Sequence, residues 1–522
     1  MHGSVRDPLG TTLVVAIVLA SPIAWTLLIS SREATPCADS IEQLVWAQDL
    51  AWGYPKHPPL ATWIVAGLSA LLGRSTGLAY GLAAACTALA LGFAYRLGAQ
   101  LAGPRAAQVL LILSTCVFYL TGRAGVFNHN VVLLPVVMAS YVAFVAVLQT
   151  GSRAAWLGLG ACVGLGMLAK YQMAVFAASF AVWFALDRGA LRGAVQRRRA
   201  AAALGAAVLL MAPTIVWQWA NGWPALDYAA GNVLAHEPWA VRPRAMAGFV
   251  AQQLARLLPA LLAWMLAVAC DRRRADRADA TVSPAAARSG ADERTRRAFL
   301  FAALAPAAAI VAMPLLLGSR LQNHWGVVLA LPLLAVAVTR LWPRRPVAPG
   351  AALAAALAMH GVTALVVLHP QAGQARDHDT FPSDPLARAA HAVWQAQHDR
   401  PLRLVVGPQW EAGSIALRLP DRPRVLAVEE QARWSAPDVD RMRACGALVV
   451  WNANVAAQAD LAARLGLATL PVREVVAPHE GASDALFARL RIAILPAGDP
   501  ARCGAGGHAS RAAGFTPAAV WP

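Results

Sequence analysis

Apolar residues run along this chain in blocks, and the breaks between blocks are marked by arginines. A block of about 20 residues makes a helix long enough to cross a hydrocarbon core of roughly 30 Å. The pattern predicts membrane-crossing helices over residues 11–30, 76–97, 106–121, 131–148, 154–168, 173–186, 200–217, 245–270, 299–317, 326–338 and 351–368. That makes about eleven spans. The stretch 58–73 (PPLATWIVAGLSALLG) is apolar but short, and reads as an interfacial or re-entrant helix.

From residue 370 the pattern changes to that of a water-soluble domain. Short apolar runs at 402–406 (LRLVV), 424–428 (RVLAV) and 447–451 (ALVVW) predict strands, and the polar, alanine-rich stretches between them predict helices. The expected architecture is a polytopic α-helical membrane domain over 1–369 followed by a soluble α/β domain over 370–497. Residues 271–297 are rich in Ala, Arg and Asp, too poor in apolar side chains to fold alone, and read as a flexible loop. The Gly-, Ala- and Pro-rich tail 498–522 reads as disordered.

Composition agrees with the pattern, since 58% of the residues are hydrophobic and only 14% charged. No water-soluble globule of this size buries so much apolar surface. The net charge of +17 does not make a nucleic-acid protein, because the arginines sit at block ends instead of forming one basic stripe. Read by the positive-inside rule, Arg188, Arg192, Arg197, Arg198 and Arg199 mark the cytoplasmic side most strongly. The N-terminus is then inside, and the C-terminal domain lies outside the cytoplasm. The first block is longer than a signal peptide core and reads as a retained span.

Of the seven cysteines, Cys86, Cys116, Cys162 and Cys270 fall in or beside apolar blocks and read as packing residues. Cys445 and Cys503 lie in polar segments and form the plausible disulfide of an oxidising compartment. No cysteine or histidine spacing suggests a structural zinc site.

The segment after the first span carries the densest candidate chemistry: CADSIEQLVWAQDLAWGYPKHPPLATW. Glu42 and Asp49 are spaced to share one face of a helix, and Asp39 falls near its start. Asp39 is open to two readings, a helix N-cap or a general base that activates an acceptor hydroxyl. Lys56 and His57 have two readings as well. With Pro58 and Pro59 they form a rigid turn, or at headgroup depth they hold a lipid phosphate. Asn128, His129 and Asn130, then Lys170 and Tyr171, then Arg320, Asn323 and His324 fall at span ends on the same expected side. Each alone reads as a capping or snorkelling group; together they would line a polar cavity at the outer leaflet.

The residues Asp39, Trp46, Gln48, Leu50, Ala51, Gly53, Tyr54, His57, Pro58, Pro59 and Leu60 form a pattern that resembles the first outer loop of the GT-C glycosyltransferases. The nearest group is glycosyltransferase family 39, the protein O-mannosyltransferase-like enzymes that include the aminoarabinose transferases of lipid A. Weaker likeness extends over residues 10–345 through GMLAKYQ and QNHW.

The resemblance implies a polyprenyl-phosphate sugar as donor and Asp39 as catalytic base. It further implies a glycolipid, polymer or protein as acceptor, and a place in the bacterial inner membrane. Tyr54, Lys56, His57, Asn128, His129, Asn130, Lys170, Tyr171, Arg320, Asn323 and His324 are the expected substrate-binding residues. No cofactor is certain from the resemblance, and a divalent metal stays open. Ser40, Lys56 and Asn130 stand where many members have acids, so a divalent metal would find few carboxylate oxygens here. A transporter or flippase of lipid-linked sugars is the rival reading, but interrupted helices and repeated halves are not evident; a noncatalytic relative, in which Asp39 would tolerate change, is the third.

Overall fold

A computed structural model describes residues 10–232, 237–275, 291–341, 347–369, 380–434, 436–455, 469–479, 487–498 and 503. Most of the expected flexible loop 271–297 and nearly all of the tail 498–522 lie outside them. The chain divides into two compact units. One comprises Met1–Ile29, Trp52–Ala61 and Gly81–His369; the other comprises Ser30–Ala51, Thr62–Tyr80 and Pro370–Pro522.

The helices of the membrane region are α1 (Gly10–Ser30), α2 (Ala38–Trp46), α3 (Leu60–Leu72), α4 (Thr76–Ala102), α5 (Pro104–Ser114), α6 (His129–Thr150) and α7 (Arg153–Ala169). They continue as α8 (Met173–Leu186), α9 (Gly193–Ala220), α10 (Pro224–Asn232), α11 (Arg242–Ala275), α12 (Glu293–Leu317), α13 (Val327–Leu341) and α14 (Pro349–Leu368). Among the described residues, eight helices are long and apolar enough to cross a membrane, in α1, α4, α6, α9, α11, α12, α13 and α14. The apolar helices α3, α5, α7 and α8 are shorter, so length alone does not fix which of them span.

The first unit is held together by close contacts of small residues and by buried aromatics. A Cβ on Gly160 would stand 2.1 Å from the Ala203 carbonyl oxygen, and one on Gly164 would stand 3.1 Å from the Ala207 Cα. Glycines one turn apart on α7 therefore let α9 approach at backbone distance, the device by which helices associate where no hydrophobic effect drives them. Tyr141 is wholly buried; Phe176, Phe180 and Phe299 meet its ring edge-on, and its hydroxyl donates to the Ala302 carbonyl at 2.8 Å. A phenol inside such a unit needs this partner, because an unpaired hydroxyl there is costly.

In the second unit, strands β1 (Leu404–Gly407), β2 (Arg424–Ala427), β3 (Ala447–Asn452), β4 (Val472–Pro478) and β5 (Phe487–Leu495) form a five-stranded sheet in the order β2-β1-β3-β5-β4. β1 pairs in parallel with β2 and β3, while β5 runs antiparallel to β3 and β4. The three parallel strands are apolar on both faces, as strands covered on both sides must be. Helices α15 (Ser383–Gln395) and α16 (Gln409–Arg418) bury Phe381, Trp394 and Ile415 on one face, where Ile41 and Val45 of α2 join the same core. Helix α17 (Ala436–Cys445) follows β2 and lies on the side of Trp434 and Met442. The run 447–451 and its two predecessors were expected as strands; β4 and β5 were not.

Cys445 and Cys503 are disulfide-bonded across 58 residues. Cys86 and Cys116 are buried, whereas Cys270 is exposed and is not the packing residue its place in the sequence suggests. Closing a loop of that length restricts the unfolded chain, so Cys445→Ser is expected to lower the stability of the second unit by about 4 kcal/mol. Denaturant unfolding of the full chain, with and without reductant, checks this: the reduced wild type should match the variant.

Candidate functional site

The turn at 52–61 is shaped by a glycine and two prolines. A Cβ on Gly53 would fall 2.3 Å from the Trp217 ring, so only glycine lets the chain pass that indole. The Tyr54 N–H then donates to the His57 carbonyl at 3.3 Å, and Tyr54, Pro58 and Pro59 are buried. This turn presents the half-buried His57 ring to His129, with ring centres 4.0 Å apart and planes tilted by 43°. Tyr228 of α10 lies edge-on to His57 at 6.1 Å.

His129 opens α6, whose first turn is set by Asn128. The Asn128 side-chain oxygen accepts from the N–H groups of Asn130 (3.0 Å) and Val131 (3.1 Å), satisfying two donors that a helix start leaves open. Asn128 is thus a cap, which also fixes where His129 and Asn130 point. Lys170 sits in the break between α7 and α8, where the chain leaves helical geometry. Only 8% of it is exposed, and its Nζ donates to Asn130 Oδ1 at 2.6 Å. Next to it, the Tyr171 hydroxyl accepts from Gln218 Nε2 at 3.0 Å, and Gln172 Nε2 donates to the Trp325 carbonyl at 3.0 Å.

Several basic side chains act on His57. Burial holds the His57 imidazole well below its ordinary 6.5, and His129, Lys170, Lys56 and His324 push it the same way. His57 is therefore neutral at pH 7. Because its folded value is depressed, the unfolded chain binds the proton more readily, and stability falls as pH drops below about 6.5. Thermal melts over that range should show a shallower acid loss in His57→Gln than in wild type.

The other expected residues fall differently. Arg320 is 61% exposed and bonded to Glu237 at 2.8 Å. Asn323 and His324 form an exposed turn, and the Asn323 carbonyl accepts from the Tyr119 hydroxyl at 2.7 Å. Arg256 donates to that same hydroxyl at 2.9 Å and lies 4.8 Å over the Tyr119 ring. The sequence reading passed over Arg256 and Tyr119. The signal was a single cation inside the apolar block 245–270.

In the second unit, Asp39 is exposed in the first turn of α2. The N-cap position is Cys37, so the reading of Asp39 as the cap is corrected: the helix starts two residues earlier than a cap at 39 requires. The shared face of Glu42 and Asp49 is also corrected, since α2 ends at Trp46. Asp49 lies beyond the helix and pairs with Arg424. Glu42 is buried, and Gln409 in its satisfied orientation donates to Glu42 Oε2 at 3.1 Å and accepts from Trp46 Nε1 at 3.0 Å.

Residues 56–217, which hold Lys56, His57, Asn130 and Lys170, match the family model described as dolichyl-phosphate-mannose-protein mannosyltransferase. The chain is similar over 92% of its length to ArnT from Cupriavidus metallidurans in the apo state, with 17% identity, 98% of that chain covered and a TM-score of 0.54. The same protein bound to undecaprenyl phosphate gives 16% identity, 93% and 98% coverage and a TM-score of 0.52. The oligosaccharyltransferase of Archaeoglobus fulgidus in the apo form is 12% identical, with 86% of this chain and 70% of that chain covered and a TM-score of 0.45. No curated protein matches by sequence. The chain is a multi-pass membrane protein. Its fold is of the GT-C type that ArnT has, with a five-stranded α/β region toward the C-terminal end.

Proposed function

We propose that this protein transfers a sugar from a polyprenyl-phosphate donor to an acceptor hydroxyl at the outer face of the bacterial cytoplasmic membrane. The observation that carries the reading is the group of basic side chains in the first unit: buried Lys170 bonded to Asn130, with Lys56 acting on the paired His57 and His129 rings. Lysines gathered in a half-buried site can hold an anion, and a lipid phosphate is the anion that reaches them from a bilayer. That residues 56–217 match the mannosyltransferase family model supports the same donor class, and so does a solved ArnT structure that holds undecaprenyl phosphate.

In this reading Lys170 and Lys56 hold the phosphate, and neutral His57 adds a hydrogen bond. Asp39 takes the proton of the acceptor hydroxyl as its oxygen attacks the anomeric carbon from the side opposite the phosphate. The bond from that carbon to the phosphate oxygen breaks, the lipid phosphate leaves with its charge offset by lysine, and the configuration inverts. Phosphate is a fair leaving group, so orientation and charge stabilisation suffice for the step. The Cys445–Cys503 bond fits a C-terminal domain outside the cytoplasm, where it would dock a glycolipid, polymer or protein acceptor.

Membranes holding the protein, supplied with a panel of radiolabelled hexosyl and pentosyl polyprenyl phosphates, test the reading. Consumption of at least one donor is expected, and a chelator arm reports whether a divalent metal takes part. A panel left untouched would remove the transferase assignment.

A further inference from the structure

The second unit carries an arginine pair that the proposed chemistry does not use. Helix α3 ends at Leu71 and Leu72, which are 80% and 72% exposed, and Gly73 turns the chain with φ of +79° into Arg74. Two residues on, α4 begins, and it is long and apolar enough to cross a membrane. A residue within one turn of such a helix end lies at headgroup depth. The exposed leucines beside it are then at the acyl boundary, where apolar side chains belong.

The loop before β2 meets this turn. Arg74 donates to the Pro423 carbonyl at 3.1 Å, and Arg422 Nη1 lies 2.9 Å from where a Gly73 Cβ would stand. Arg422 holds φ at +45°, a left-handed conformation that a residue with a side chain rarely adopts. Nearby Arg424 is matched by Asp49 and Asp438. Among the described residues, neither Arg74 nor Arg422 takes part in an ion pair. The like charges of Arg424 and Arg422 add to burial in pushing the Arg74 guanidinium down to about 10.

We propose that the Arg74 and Arg422 guanidiniums bind the headgroup phosphate of an anionic membrane lipid. Two guanidiniums beside each other repel until an anion lies between them, and a phosphate offers each a planar pair of oxygens. The exposed leucines select a lipid over a soluble anion, because they need acyl chains beside them. The site is independent of the donor site and of the transferase reading.

The test uses the full chain in nanodiscs of equal phosphatidylglycerol and phosphatidylcholine, followed by mass spectrometry of the lipid retained after mild detergent extraction. Wild type should retain phosphatidylglycerol preferentially. Arg74→Gln and Arg422→Gln should each reduce that preference about fivefold, with Arg422→Lys keeping most of it. Because Arg422 is exposed, its variant should melt with wild type, so a loss of preference is not a loss of fold. Unchanged preference in Arg422→Gln overturns the proposal, and so does equal retention of both lipids by wild type.

Discussion

Replacing Lys170 with methionine is expected to lower kcat/KM for the polyprenyl-phosphate sugar about a hundredfold or more. The ammonium is 8% exposed and held at 2.6 Å by Asn130, whose amide oxygen accepts the hydrogen bond without cancelling the charge. A cation kept in place in a half-dry site stabilises the developing charge of a leaving phosphate far more than a mobile one in water, and removing one such group typically costs 10²–10³ in rate. Methionine keeps the length and apolar stem, so packing is retained. Asn130→Asp should produce a smaller loss, since a carboxylate would neutralise the lysine without displacing it. Steady-state kinetics on purified protein with varied donor check both; a Lys170→Met enzyme within twofold of wild type contradicts the role.

Asp39→Asn carries the second large effect, a loss of about 10²–10⁴ in kcat, as expected when a general base is removed. The residue is exposed in the first turn of α2, so the substitution should leave the melting temperature unchanged, and any loss of rate is then chemical. Asp39→Glu should retain part of the activity. An acceptor that arrives already ionised should bypass the defect, which separates a missing base from a distorted site. Donor binding should be unaffected in Asp39→Asn, in contrast to Lys170→Met.

The membrane helices were legible in the sequence because a bilayer demands long uninterrupted apolar runs, and α4, α6, α9 and α12 answer to them. The strands β1, β2 and β3 were legible for a related reason, being apolar on both faces. β4 has mostly exposed side chains and β5 alternates exposed with buried ones along half its length, so neither stood out as an apolar run. The end of α2 was misjudged because the Ala-Gln-Asp stretch after Trp46 has no strong helix breaker, and what places Asp49 is its pairing with Arg424 far along the chain.

The candidate site shows the same division. His57, Asn130 and Lys170 were singled out as polar residues at span ends, a local property. That the His57 ring faces His129, that Lys170 bonds Asn130, and that Arg320 turns instead to Glu237 are facts of packing between distant segments. No pattern within a single stretch encodes them. The WGYPKH turn is an exception in part, since Gly53 is required by the nearby Trp217 ring.

Product analysis in sealed proteoliposomes tests the central claim most directly. A donor labelled in both sugar and lipid is supplied with candidate acceptors, and the reaction is followed by mass spectrometry on each side of the bilayer. Sugar transfer predicts that free polyprenyl phosphate and glycosylated acceptor appear together, in equal amounts, and that Lys170→Met suppresses both. Donor that crosses the bilayer with its sugar still attached, and no polyprenyl phosphate released, would contradict the transferase account and favour transport.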